Sequence, residues 1–282
     1  MLTHAPTHLS GWIEAIGSLE IPVLERTARA IDALREDEDD VAPRDIAELV
    51  LDDPLMTLKL LAHVPRLRPA RQTTDTETVT AALLMMGTGL FFRTYSDQTT
   101  VESRLADLPG ALEGLQAVLR RAHRAARFAI GFAMHRQDTD AEIIHEAALL
   151  HDFAEALLWC HAPRLALEIQ RRQAADSTLR SAQVQRDVLN VELCDLEQAL
   201  MKAWRLPELL QHLTNDHLAP VPRVRNVLLA TALARHSQQG WDNAALPDDL
   251  NAIAALLNVS SHTARMMIRE LDPEPEALEV SD

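Results

Sequence analysis

Two side chains able to do chemistry stand together at His151-Asp152, inside the otherwise apolar run Ala147-Ala-Leu-Leu-His-Asp-Phe-Ala-Glu-Ala-Leu-Leu158. Neighbouring helix positions project about 100° apart, so both side chains can reach a point where a second helix crosses. The helix expected just before, Leu112 to His135, carries His123. Imidazoles and a carboxylate suit a divalent cation, because the carboxylate neutralises metal charge and favours hard ions such as Mg²⁺ or Mn²⁺. With coordination positions left open, a bound water loses its proton near neutral pH and becomes a nucleophile. The competing use of the same residues is a buried hydrogen-bonded pair, joined by His123, that fixes how two helices cross.

Positioning such residues falls to helices. A chain of 282 residues can bury a substantial core. It is 47% hydrophobic with only 8 glycines and 4% aromatics, and Ala and Leu are abundant while β-branched runs are few. That mixture predicts an all-α fold. The formal net charge of −15 disfavours a nucleic-acid partner, which asks for a basic face. Local basic clusters, Arg120-Arg121 with Arg124 and Arg127, and Arg171-Arg172, read at helical spacing as solvated faces. Cys160 and Cys194 lie in apolar helical surroundings and read as buried free thiols of a reducing compartment. The N-terminus, Met1-Leu-Thr-His-Ala-Pro-Thr-His8, lacks a basic region followed by an apolar core. No apolar stretch approaches the ~20 residues that cross a bilayer. These features predict a cytoplasmic protein without a membrane partner.

Along the chain, Ser10 is placed to cap a short helix through Ile16, and Ile21-Pro22 to open another with Val23, Leu24, Thr27, Ile31 and Leu34 facing inward. Glu36 to Asp40 reads as a solvated acidic turn. Prolines open two compact helices, Pro43 to Leu51 and Pro54 to about His63, the latter with Asp53 as N-cap. After an Arg66–Arg71 loop, Thr74-Asp-Thr-Glu77 reads as a capping box for a helix ending at Gly87. Met85 and Met86 on that helix read as core filler. The pattern weakens between Tyr95 and Gly110. A long helix from about Ala111 to His135 follows, and Thr139-Asp-Ala-Glu142 is placed to cap one continuous helix reaching Cys160-His161. The last stretch, Pro247 to Glu270, predicts two short helices around Asn258-Val-Ser-Ser261, capped by Ser260 or Ser261. They faintly resemble a helix-turn-helix, but two arginines and an acidic tail, Asp272 to Asp282, favour a terminal packing pair.

Helices carrying His and then His-Asp resemble the HD superfamily, whose enzymes bind metals and hydrolyse phosphate esters. A fuller resemblance is to the HDOD family, a branch of that fold regarded as non-catalytic. It rests on the order of Ile46-Ala-Glu-Leu-Val-Leu-Asp-Asp-Pro-Leu-Met-Thr-Leu-Lys-Leu-Leu61, Ala81-Ala-Leu-Leu-Met-Met-Gly87, the His123 helix, Leu149-Leu-His-Asp152, and Ala203-Trp-Arg-Leu-Pro207. The chain departs from the pattern at His63-Val64, where the family has Asn-Ser, and at Leu193 and Glu197, where it has His and Gly. His217 matches the second residue of the family's His-His pair, and Asp216 stands in place of the first.

The resemblance locates what catalysis would need. An HD hydrolase requires a later Asp, expected on the helix Val224 to His236, which carries no carboxylate and has Thr231 as its polar mid-helix residue. Active relatives of the HD-GYP type read His-Asp-x-Gly-Lys, the Lys holding substrate phosphate, whereas Glu155 occupies the Lys place here. At contact range that exchange reverses an interaction worth about 4 kcal/mol at an effective dielectric of ~20. His123, His151, Asp152, Glu155, Asp216 and His217 are therefore candidates for a degenerate site. No catalytic residue, bound metal or cofactor is expected; a retained metal would fall to His123, His151 and Asp152. The expected organisation is an extension 1–20, an HDOD-like domain 21–240 (N-terminal lobe 21–95, linker 96–110, HD-like lobe 111–240), and a helical pair with acidic tail 241–282. The expected function is a non-enzymatic signalling module that binds other signalling proteins, with homo-oligomer formation open. The alternatives are a metal-dependent phosphohydrolase acting on a nucleotide or cyclic dinucleotide, using Glu155 or Asp216 as replacement carboxylate, and a DNA-binding regulator.

Overall fold

The computed structural model describes residues 1–38, 40–67, 77–176 and 178–273. Among these the chain is all-α, with seventeen helices and no strand. They are α1 (Leu9–Gly17), α2 (Glu25–Glu36), α3 (Pro43–Leu51), α4 (Pro54–Leu67), α5 (Val79–Met86), α6 (Thr88–Tyr95), α7 (Val101–Arg104), α8 (Pro109–Arg136) and α9 (Ala141–Leu150). There follow α10 (Phe153–His161), α11 (Pro163–Ala175), α12 (Ser181–Leu189), α13 (Leu193–Trp204), α14 (Glu208–Leu213), α15 (Pro222–His236), α16 (Leu246–Leu257) and α17 (Ser261–Leu271), with a 3-10 turn at Asp216–Leu218. None of the described helices is long and apolar enough to cross a membrane. The chain divides into two units, one of Met1–Arg120 with Asp152–His212, the other of Arg121–His151 with Leu213–Asp282.

The first unit is organised by α4, which packs on α3, α5, α10 and α13. Its helix start is built by Asp53, whose side chain is fully buried. One carboxylate oxygen accepts from the N–H groups of Leu55 at 2.9 Å and Met56 at 3.3 Å, capping α4. The other accepts from Leu24 N–H at 2.8 Å, just before α2 begins. That contact changes the expected start of α2. Pro22 does not open the helix, because Val23 bonds in extended form to Thr99 and Val101, and helical geometry begins only at Glu25. Two indoles fasten α1: Trp12 Nε1 donates to Leu189 O at 2.8 Å and Trp204 Nε1 to Gly17 O at 2.9 Å. The N-cap of α1 is His8 rather than Ser10. In the same unit the Trp159 ring lies against the α8 backbone so closely that a Cβ at Gly114 would come within 2.4 Å of it.

The second unit is built from the C-terminal half of α8, α9 and α15–α17. Phe128 and Phe132 stack at 6.3 Å between ring centres and are fully buried. Asn226 of α15 donates to Ala129 O of α8 at 3.2 Å, and α9 packs on α15. The α16–α17 pair closes on an Asn258 in left-handed geometry, and Ser260 caps α17 by accepting from Thr263 N–H. This is the expected terminal packing pair. Asp272, read as the start of a tail, instead clamps α8: it pairs with Arg124 at 2.6 Å and Arg127 at 2.9 Å. The basic cluster on α8 is accordingly a solvated face only in part: Arg120 and Arg127 are exposed, whereas Arg121 is buried and Arg124 lies four-fifths covered.

Other departures have local causes. Helix α4 runs through Pro65 to Leu67 instead of stopping near His63. Residues 68–71 of the expected loop, 74–76 of the expected capping box and 274–282 of the acidic tail lie outside the described residues. Helix α5 is capped by Thr78, which accepts from Ala81 N–H at 3.2 Å. Gly87 takes φ +78°, a backbone open mainly to glycine, and starts α6. The Thr139 box does not form: α9 begins after Asp140 with no side-chain cap. Cys160 is buried as expected, whereas Cys194 is exposed in the first turn of α13.

Candidate functional site

The central motif does not sit in the middle of a helix. The run expected to be continuous breaks into α9 and α10, and His151-Asp152 is the break. His151 keeps helical angles (φ −58°, ψ −30°), while Asp152 leaves them (φ −110°, ψ 25°). The Asp152 carbonyl then accepts from Glu155 and Ala156 to start α10. The division between the two units also falls on this peptide bond, with His151 in the second unit and Asp152 and Glu155 in the first.

In the second unit, His151 is nearly covered, with 9% of its side chain exposed. Its Nε2 stands 3.0 Å from Asp216 Oδ1. Asp216 belongs to the 3-10 turn, which packs on α15 and is capped by Asn215 through the His217 N–H. His217 itself is exposed. Of the six candidates, then, the fold joins His151 to Asp216 and leaves His217 at the surface.

His123, on the buried half of α8, has a neighbour that sequence reading missed. Its proximity, together with burial as the larger cause, lowers the proton affinity of His145 on α9 below that of an ordinary imidazole. Glu146, fully buried on the same helix, was also missed. The signal available was thin: a His six residues before His151 and an acid immediately before Ala147-Ala-Leu-Leu150, where helical periodicity allows either face. In α15, at the place of the expected distal carboxylate, Thr231 is buried and its Oγ1 meets no hydrogen-bond partner among the described residues.

An imidazole held by a carboxylate is fixed in orientation and can exchange a proton. Activating water on a metal asks for more, about three protein ligands around one ion with a position left open. Among the described residues no three His, Cys, Asp or Glu side chains stand together in that way. Asp216 does supply an acid to His151, but not within a group of three.

Comparison with known proteins gives the family and the fold. Residues 21–220 match the HDOD domain, and the chain belongs to the HDOD family. Its fold is shared with the MmoQ response regulator of Methylococcus capsulatus strain Bath, at 18% identity and TM-score 0.66 over 88% of this chain and 98% of that one. It is shared as well with a virulence factor of Campylobacter jejuni subsp. jejuni, at 16% identity and TM-score 0.62 over 94% and 98% of the two chains. No curated protein matches.

Proposed function

We propose that this chain is a non-catalytic signal-transduction module, a regulator or adaptor that binds other signalling proteins in a bacterial cytoplasm. Components of two-component or cyclic-dinucleotide signalling are the partners the family suggests, and self-association is a further mode. MmoQ is described as a response regulator; a comparable role for this chain is part of the proposal. Residues 21–240 would act as its working body. The observation that carries the reading is the donor set: His151 is matched with Asp216, and no three-ligand group forms among the described residues. Glu155 and Thr231 occupy the places where hydrolysis would want a cation and a carboxylate.

One observation favours a second reading, a metal-dependent phosphohydrolase acting on a nucleotide or cyclic dinucleotide. The 3-10 turn delivers Asp216 to His151, as a replacement ligand would require. The two readings separate in one set of assays. Purified protein is analysed for metal and incubated with Mn²⁺ and a panel of nucleotides and phosphodiesters, in parallel with affinity capture from a bacterial lysate. The adaptor reading expects capture of a signalling protein in near-stoichiometric amount and no turnover. Metal-dependent product formation, abolished by Asp152→Ala or Asp216→Ala, would overturn it.

A further inference from the structure

Between α16, α17 and the turn Trp241–Ala244, the second unit carries a groove of about 780 Å³. That size lies within the range of small-molecule sites and exceeds what a simple anion fills. Three features of its lining point the same way. Trp241 leaves 37% of its surface exposed, whereas Trp12, Trp159 and Trp204 are buried at 0%, 4% and 7%. Arg265 and Arg269 stand one helical turn apart on α17, both exposed, so their guanidinium groups can converge on one anion. Neither has an acidic partner among the described residues. The nearby acid, Asp272, is already held by Arg124 and Arg127. On a chain with net charge −15, two arginines without an ion-pair partner among the described residues stand beside an open indole, in a groove whose lining also holds the carboxylates of Asp242 and Asp272. At the groove's other wall Asp242 offers acceptors, and Asn243, whose Oδ1 is taken by Ala245 N–H at 2.9 Å, keeps its amide donors.

We propose that this groove binds a nucleotide, its phosphate on Arg265 and Arg269 and its base against Trp241. Guanidinium groups match phosphate oxygens through paired N–H donors. An indole face stacks on a planar base, and the Asp242-Asn243 edge presents both acceptor and donor to the base's polar rim. An acidic peptide would engage the arginines but leave the indole and the amide unused.

The test uses the full chain, titrated with AMP and with GMP and followed by tryptophan fluorescence and calorimetry. Because the other three indoles are buried, saturable quenching reports on Trp241. The expected result is saturable binding, weakened about tenfold or more by R265Q or R269Q. The quenching signal should disappear in W241L, with circular dichroism and melting temperature unchanged. Adenosine and inorganic phosphate, each half of the ligand, should bind at least about tenfold more weakly than AMP. Four results would overturn the proposal. They are absence of saturable heat with either nucleotide in the millimolar range, affinity unaltered by the arginine variants, inorganic phosphate binding as well as AMP, or binding of a synthetic peptide of residues 274–282 where neither nucleotide binds.

Discussion

Asp216 reaches His151 from a short 3-10 turn, which is why the pair escaped a reading based on helical spacing. Periodicity can place residues on one face of one helix, but it cannot say which residue of an irregular segment will fold back onto it. The sequence did offer Asp216 as a candidate, and its contact with His151 gives that suggestion a location. His123 was legible as a polar residue on an apolar helix, whereas its neighbour His145 was not, since nothing in the local pattern distinguishes a facing imidazole from a solvated one. The His151–Asp216 pair has one covered member and one about half exposed, with 47% of the Asp216 side chain open to water. Solvent screening therefore limits its worth. A double-mutant cycle of His151→Ala and Asp216→Ala, followed by urea unfolding, should give a coupling of about 0.5–1 kcal/mol. A coupling several times larger would indicate that the pair is more deeply buried or tied into a wider network.

At the scale of elements, the sequence was most informative where proline and aspartate mark a helix start. Pro43 and Pro54 open α3 and α4 where expected. Asp53 was read as a cap and is one, but its second oxygen also holds the chain ahead of α2, a long-range bond that no local pattern announces. Burial pushes the Asp53 pKa up, against the backbone N–H groups that pull it down. Asp53→Ala would remove the α4 cap and leave the Leu24 N–H buried without its acceptor. Together these should cost about 3 kcal/mol, measurable as a shift in the urea midpoint. The break between α9 and α10 was illegible for a different reason. Neither Gly nor Pro marks it, and apolar residues continue through it, so the propensities favour an unbroken helix.

For the molecule as a whole, composition sufficed for fold class, because Ala- and Leu-rich segments without β-branched runs have little else to form. The order of weak motifs then pointed to the family. Stability against acid is a property at this scale. Burial, more than the nearby charges of Arg104 and the N-terminal amine, pushes the His161 pKa down to about 4, and His145 is shifted in the same direction. The unfolded chain takes up these protons near pH 6.5, while folded His161 resists until about pH 4. The unfolded state therefore binds more protons across that window, and stability falls as pH is lowered through it. His161 alone should account for about 3 kcal/mol lost by the lower end. Urea unfolding at a series of pH values should show this decline, and His161→Leu should flatten it. An unchanged slope in that variant would place the acid sensitivity elsewhere.

The backbone enters the second unit at Arg121, leaves it after His151 and returns at Leu213. Each unit is thus stitched from two stretches of sequence, and His151-Asp152 is one of the stitches. A recombination breakpoint anywhere between Arg121 and His212 would hand a descendant gene part of one unit without its complement. Such hybrids should be lost as misfolded products. Domain shuffling can then move this module only entire, and split-protein reporters built on it will need both fragments to reassemble before either half holds its shape.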